Sequence, residues 1–290
     1  MKIAITGSHG LIGTALIEAL QRRNDEVIGV QRSQDGHFLL DDIGSADAVI
    51  HLAGEGIGTR RWSQSQKNRI MSSRRDGTFE IASAIAKMKV QPNTFVCASA
   101  IGIYGDRGDE EITEQSQNGT GFLADVCVSW EAATKPAIDA GIRTINIRTG
   151  VVLSAKAGAL AKQLPLFRHR LGGVIGSGRQ YMSWISIDDE VRAILHLLDA
   201  NEVHGPFNLT APSPVTNAEF TKVLANTLGK PAILRVPGFA LKVALGSGLA
   251  SELLLGGQRV MPVALQDSGF TFEYSEIQGA LRYLLEPQSK

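Results

Sequence analysis

Lys2-Ile3-Ala4-Ile5-Thr6-Gly7-Ser8-His9-Gly10-Leu11-Ile12-Gly13 is the stretch of this 290-residue chain that decides its fold. Residues 2–6 are a short apolar run with β-branched members, the pattern of a fully buried strand. Glycines then follow in the spacing G-x-x-G-x-x-G. From residue 11 onward Leu11, Ile12, Ala15, Leu16, Ala19 and Leu20 recur at helical spacing. A glycine loop that leaves a buried strand and opens a helix is the setting in which this pattern binds a dinucleotide. Gly7 permits the tight turn, Gly10 lets backbone approach a pyrophosphate, and Gly13 lets the helix pack closely. The N–H groups and dipole at the helix start attract phosphates. Elsewhere these glycines would read as a plain turn. No Gly-Lys-Ser/Thr closes the loop, so a P-loop is excluded.

Moving outward, VIGV at 27–30 reads as a second strand, which completes a strand–helix–strand unit. The alternation continues with strands at 47–53, 94–100 and 144–153 and helices at 63–89 and 121–140. Further helices are expected at 188–200, capped by Asp188, at 216–228 and at 239–255. The pattern predicts an α/β protein with a Rossmann-type, doubly wound parallel sheet. Residues 1–155 form its dinucleotide-binding domain, with later returns near 185–210. Residues 156–290 form a smaller C-terminal substrate lobe.

Strand two ends in Val30-Gln31-Arg32-Ser33. A site selective for NAD wants a carboxylate there, on the ribose 2′-hydroxyl. This chain offers Arg32, whose guanidinium suits a 2′-phosphate. The cofactor expected is therefore NADP(H).

The bulk properties narrow the rest. Twenty-nine basic and 29 acidic residues give zero net charge, which leaves no electrostatic footprint for nucleic acid. Two cysteines, Cys97 and Cys127, make no disulfide framework, and six histidines show no metal spacing. The reducing cytoplasm is the expected compartment. The apolar stretch 238–257 carries Lys242, Glu252 and several glycines and is too interrupted to span a bilayer. A small molecule is the expected partner.

These residues resemble the extended short-chain dehydrogenase/reductase superfamily, through TGSHGLIG at 6–13, DAVIHLAG at 47–54, SAIGIYG at 99–105 and WISIDD at 184–189. More narrowly, HLAGEGIGTRRW at 51–62, GFLADVCVSWEAA at 121–133 and ELLLGGQRVMP at 252–262 resemble its atypical "epimerase family" branch, also labelled cell-division-inhibitor-like. The resemblance implies a cofactor lying over Gly7, Ser8, His9, Gly10, Leu11, Ile12 and Gly13. It would meet Gln31 and Arg32 at the adenosine phosphate and Leu52, Ala53 and Gly54 along a strand end, with Arg74 as a further contact.

The superfamily's chemistry uses a Tyr-x-x-x-Lys pair with a Ser or Thr. The Tyr exchanges a proton with a substrate oxygen and the Lys lowers its pKa. Counting back from Glu131, the resemblance puts Leu123 at the Tyr position and Cys127 at the Lys position; Ala100 falls at the Ser/Thr position. The usual relay is absent. Tyr104 and Ser99 are the replacement candidates for catalysis, and Glu55, Arg179 and Trp184 the candidates for substrate contact. Gln258-Arg259 reads as structural. Two functions stay open: an NADP(H)-dependent oxidoreductase or epimerase acting on a small carbonyl, hydroxyl or sugar-nucleotide substrate, or a non-catalytic NADP(H)-binding redox sensor.

Overall fold

The structure, a computed structural model, describes residues 1–286. In chain order the main elements are β1 (Lys2–Thr6), α1 (Leu11–Arg22), β2 (Glu26–Val30), β3 (Ala48–His51), α2 (Gln64–Ala86), β4 (Thr94–Ala100) and β5 (Glu111–Ile112). They continue with α3 (Phe122–Ala132), α4 (Lys135–Asp139), β6 (Arg143–Thr149), β7 (Val151–Leu153), α5 (Gly158–Arg168), β8 (Gly173–Ile175), β9 (Tyr181–Met182) and β10 (Trp184–Ser186). Then come α6 (Ile187–Asp199), β11 (Gly205–Leu209), β12 (Val215–Thr216), α7 (Asn217–Thr227), β13 (Leu234–Val236), α8 (Gly238–Leu245), α9 (Ser247–Ala250), β14 (Arg259–Val260), α10 (Val263–Asp267) and α11 (Ile277–Leu285).

Two units share these elements, and neither is continuous. The first holds residues 1–103, 122–149 and 191–207; the second holds 104–121, 150–190 and the described residues from 208 onward. No single cut near residue 155 separates them. The loop 104–121 belongs with the second unit, while the chain returns over 191–207 to finish the first.

The first unit is built on a six-stranded sheet ordered β2-β1-β3-β4-β6-β11. The pairs from β2 through β6 are parallel. β1, β3 and β4 are almost wholly buried because their residues are apolar on both faces, as parallel strands between helix layers require. Chain order reverses at β1, with β2 on one side and β3 on the other. Such a switch point opens a crevice at the strands' carboxyl ends. Arg143 closes the later return: Nη1 donates to the carbonyls of Leu197 and Ala200 at 3.0 and 2.8 Å, placing a cation on the last turn of α6.

The second unit has an apolar core that includes Leu160, Phe167, Trp184, Phe220, Leu224 and Leu281. Four two-stranded ladders surround it: β7 with β10, β9 with β12, β8 with β13 and β5 with β14.

Several helical expectations are refined. The helix expected over 121–140 is two, because Pro136 takes the first turn of α4 after a break at Ala133-Thr134. The run expected at 239–255 is interrupted where Gly246 adopts φ +92° and ends α8. Asp188 is not the cap of α6. Ser186 Oγ accepts from the Asp189 N–H at 3.0 Å, while the Asp189 carboxylate accepts from the N–H groups of Glu273 and Tyr274, each at 2.9 Å. Among the described residues no helix is long and apolar enough to cross a membrane, and no cluster of three His, Cys, Asp or Glu could hold a metal.

Candidate functional site: the switch-point groove

The glycine loop lies at the switch point because β1 and β3 end side by side, with Thr6 paired to His51. Gly7 sits at φ +74°, where an L side chain is strained. A Cβ on it would also lie 2.8 Å from the Leu52 carbonyl carbon and 2.9 Å from the Ala53 nitrogen. A Cβ on Gly13 would lie 2.3 Å from the Gly7 oxygen. Helix α1 can therefore start against the loop only if residue 13 is glycine. α1 opens at Gly10 with no side-chain cap. By contrast, Ser63 Oγ caps α2 by accepting from the Gln66 N–H at 3.2 Å. An uncapped start with a glycine floor fits a phosphate ligand.

Gly7, Ser8, His9 and Gly10 line a groove of about 770 Å³ together with Gln31, Arg32, Phe38, Leu52, Ala53 and Gly54. Most of the expected cofactor residues are thus brought together. Leu11, Ile12 and Gly13 lie just beyond, at the start of α1. Arg74 sits behind the wall. A Cβ on Gly54 would be 3.2 Å from its guanidinium carbon, its Nη1 donates to the Glu55 carbonyl at 2.9 Å, and the guanidinium stacks over Trp130 at 4.8 Å. Burial lowers its pKa, opposed by nearby groups including Glu55. In this position Arg74 props the backbone at 54–55.

Beneath the loop, Thr6 Oγ1 lies 2.7 Å from His51 Nδ1 and accepts from the Ala53 N–H at 3.3 Å. His51 is fully buried, and burial, aided by the charge of Arg32, pushes its pKa down to about 3. The imidazole is neutral.

The other candidates are placed differently. Tyr104 is fully buried and its hydroxyl donates to Asn208 Oδ1 at 2.7 Å. Ser99 is buried and donates to Glu131 Oε1 at 2.7 Å. Both hydroxyls serve as internal donors. Cys127 is buried, and burial outweighs the attraction of Arg74 to push its thiol up to about 12. It is no ready thiolate. Leu123 and Cys127 both face Gly102, whose added Cβ would lie 3.4 Å from Leu123 Cβ and 3.7 Å from Cys127 Sγ. Glu55 accepts from Gln66 Nε2 at 3.0 Å and borders the groove. Trp184, a candidate for substrate contact, is instead fully buried in the second unit's core, its Nε1 donating to the Ser213 carbonyl at 3.0 Å. Arg179 is exposed. Sequence reasoning missed Phe38, a lone aromatic in a polar loop, and Gly77, an interior helical glycine in the RRDGTFE run.

A parallel α/β sheet with a glycine loop at its switch point defines an NAD(P)-binding, Rossmann-type protein. Residues 3–210 match the NAD dependent epimerase/dehydratase family, and residues 236–284 match a domain of unknown function, DUF1731. The chain belongs to that epimerase/dehydratase family, as an atypical extended short-chain dehydrogenase/reductase. The epimerase family protein ML0860 of Mycobacterium leprae is 45% identical, the alignment covering 97% of this chain and 94% of that protein. The human epimerase family protein SDR39U1 is 35% identical over 98% of this chain and 100% of its own. A crystal structure of human SDR39U1 (isoform 2) with NADPH has a TM-score of 0.91 at 34% identity, covering 98% of this chain and 99% of that one. UDP-N-acetylglucosamine 4-epimerase from Bacillus cereus, at 18% identity and a TM-score of 0.77, shares the fold alone.

Proposed function

We propose that this chain binds NADP(H) in the switch-point groove and is an NADP(H)-dependent oxidoreductase or epimerase for a small carbonyl, hydroxyl or sugar-nucleotide substrate. The observation that carries the cofactor assignment is Arg32, which lines the groove at the end of β2. A guanidinium there attracts a 2′-phosphate, whereas a carboxylate would repel it. The human relative crystallised with NADPH supports the same reading. The glycine cradle over 7–13 takes the pyrophosphate, Gln31 and Arg32 take the adenosine phosphate, and Leu52, Ala53 and Gly54 lie along the cofactor. Arg74 supports that wall from behind. NADP(H), when bound, supplies or takes a hydride.

The proton side of the chemistry is remodelled in this reading. Leu123 and Cys127 cannot move a proton as Tyr and Lys do, and Tyr104 and Ser99 are committed to Asn208 and Glu131. The proton then comes from water or from a substrate group, not from the usual side-chain relay. The same vacancies favour a second reading, a non-catalytic module that senses the NADPH/NADP⁺ ratio.

Calorimetry and turnover separate these readings. Arg32→Asp is expected to weaken NADPH binding by roughly tenfold or more and to spare NADH. An unchanged preference would overturn the cofactor assignment. A carbonyl and sugar-nucleotide panel, followed by nicotinamide absorbance and product stereochemistry, should reveal turnover. Saturated cofactor without turnover across the panel counts against the enzyme. Equal affinities for NADPH and NADP⁺ remove the sensor.

A further inference from the structure

Arg32 is held by its neighbours. Its guanidinium carbon lies 3.9 Å from the centroid of the Phe38 ring, and a backbone bridge joins the two residues. Nη1 donates to the Gly36 carbonyl. Phe38 is itself fixed: it is buried, its N–H donates to Glu80 Oε1 at 3.0 Å, and His51 meets it edge-on with ring centroids 5.5 Å apart. The aromatic ring is thus a shelf, with the cationic Arg32 over it and the neutral His51 set at a steep angle to it.

Gly77 borders the same pair. It is a buried residue inside the 23-residue α2. It is absent from the positive-φ glycines, so its backbone does not demand glycine. An interior glycine weakens a helix relative to alanine. A Cβ at this position would lie 3.1 Å from Arg32 Nη2 and 3.5 Å from Phe38 Cε2; beyond its chain neighbours and the nearby backbone of α2, nothing else among the described residues comes within 4 Å. The missing methyl leaves clearance for the guanidinium.

We infer that Phe38 and Gly77 are specificity-determining positioning residues for the 2′-phosphate: Phe38 supplies the shelf that holds the Arg32 guanidinium flat in the groove, and Gly77 the clearance that lets it lie there. This rests on the reading of Arg32 as the 2′-phosphate partner. Preorganisation matters because an exposed arginine otherwise loses rotamer freedom on binding. Stacking on the ring leaves the positive charge available, since a quadrupole attracts a cation without neutralising it.

The test uses the full chain, with calorimetric titration of NADPH and NADH and thermal unfolding of each variant. Gly77→Ala is expected to raise the melting temperature, through helix propensity, and yet to weaken NADPH about fivefold with NADH unchanged. Phe38→Leu should lower the NADPH/NADH preference in the same direction, and Phe38→Tyr, which keeps the ring, should restore it. If Arg32→Ala abolishes the preference while Gly77→Ala and Phe38→Leu leave it within twofold, the positioning role is refuted and the Arg32 reading stands. If Gly77→Ala weakens both cofactors equally, the residue is merely structural and the inference fails. If Arg32→Ala leaves the preference untouched, the underlying reading is wrong and the inference falls with it.

Discussion

Arg148 grips Glu131 through two parallel bonds, Nε to Oε1 and Nη2 to Oε2, each 2.8 Å long, and Ser99 donates to the same Oε1 at 2.7 Å. The Arg148 and Glu131 side chains are only 8% and 15% exposed. This cluster ties the last turn of α3 to the ends of β4 and β6. α3 is the helix that carries Leu123 and Cys127.

Removing one partner leaves a buried charge unpaired, which costs about 3–5 kcal/mol, whereas replacing both by apolar groups is close to neutral. Arg148→Met alone should therefore destabilise the protein strongly, and adding Glu131→Leu should recover most of the loss. Urea unfolding of the two single variants and the double variant reads this coupling. Additive losses would mean that the pair contributes nothing beyond its separate packing.

Acid sensitivity should come from His51. Its pKa is held down at about 3, against about 6.5 in an unfolded chain. Below pH 6.5 the unfolded state takes up a proton that the folded state refuses, so stability falls as pH falls through this window. Between pH 7 and pH 5 the loss is about 2 kcal/mol. His51→Gln should be less stable at pH 7, through the lost packing, but should show a flatter stability profile from pH 7 to 5. An unchanged slope would assign the acid sensitivity to other groups.

The fold was legible from the glycine loop and the run of βα alternation because parallel strands, buried on both faces, carry continuous apolar runs. The floor of the candidate site was legible for a local reason: Gly7 turns the chain at a positive φ, and Gly13 is required by the backbone of Gly7 and Ser8 only a few residues before it. Phe38 and Gly77 were not. Each looks ordinary in its own segment, and what makes them matter is the arrival of β2's loop against α2, nearly 40 positions later in the chain. Tyr104, Ser99 and Trp184 misled in the opposite way. All three follow strand ends or sit in polar company, where exposed functional groups often lie, yet Asn208, Glu131 and Ser213 take up their polar atoms in the interior. Asp188 suits a cap by residue type, yet the Ser186 hydroxyl two places earlier takes the Asp189 N–H.

Neither cysteine should react in the native state. Both are buried and free. Burial pushes both thiols up, Cys127 to about 12, so the thiolate fraction at neutral pH is minute. A disulfide reagent at pH 8 should modify the folded protein slowly, at the rate of its opening, and should modify both thiols at once in denaturant. Rapid modification in the native protein, mapped to Cys127, would show that this thiol is accessible and would revive it as a reactive group.

The tail motif Gly256-Gly257-Gln258-Arg259-Val260 should matter for folding of the second unit more than for cofactor affinity. Gly257 donates its N–H to Asp106 Oδ1 at 3.0 Å and accepts from the Arg107 N–H at 3.1 Å. Gln258 Nε2 donates to the Gly105 carbonyl at 2.8 Å, and Arg259 pairs with Glu111 at 2.8 Å. The tail thus sews the 104–121 loop in place, while Ser183 Oγ, donating to the Gln258 carbonyl at 2.7 Å, fixes it to the junction of β9 and β10. A Cβ on Gly257 would lie 2.7 Å from the Tyr181 nitrogen and 3.0 Å from Gln180 Cα, both backbone atoms that cannot swing aside. Gly257→Ala must therefore shift the ladder, with an expected cost of about 1–3 kcal/mol, the range of overpacked sites. Gln258→Ala, which only deletes a bond, should cost about 1 kcal/mol. Arg259→Ala breaks a half-exposed ion pair and should cost less than either. Unfolding curves rank the three, and limited proteolysis should find the earliest cuts of Gly257→Ala within 104–121. A ranking with Arg259→Ala as the most damaging would mean that charge, rather than close backbone packing, holds this tail.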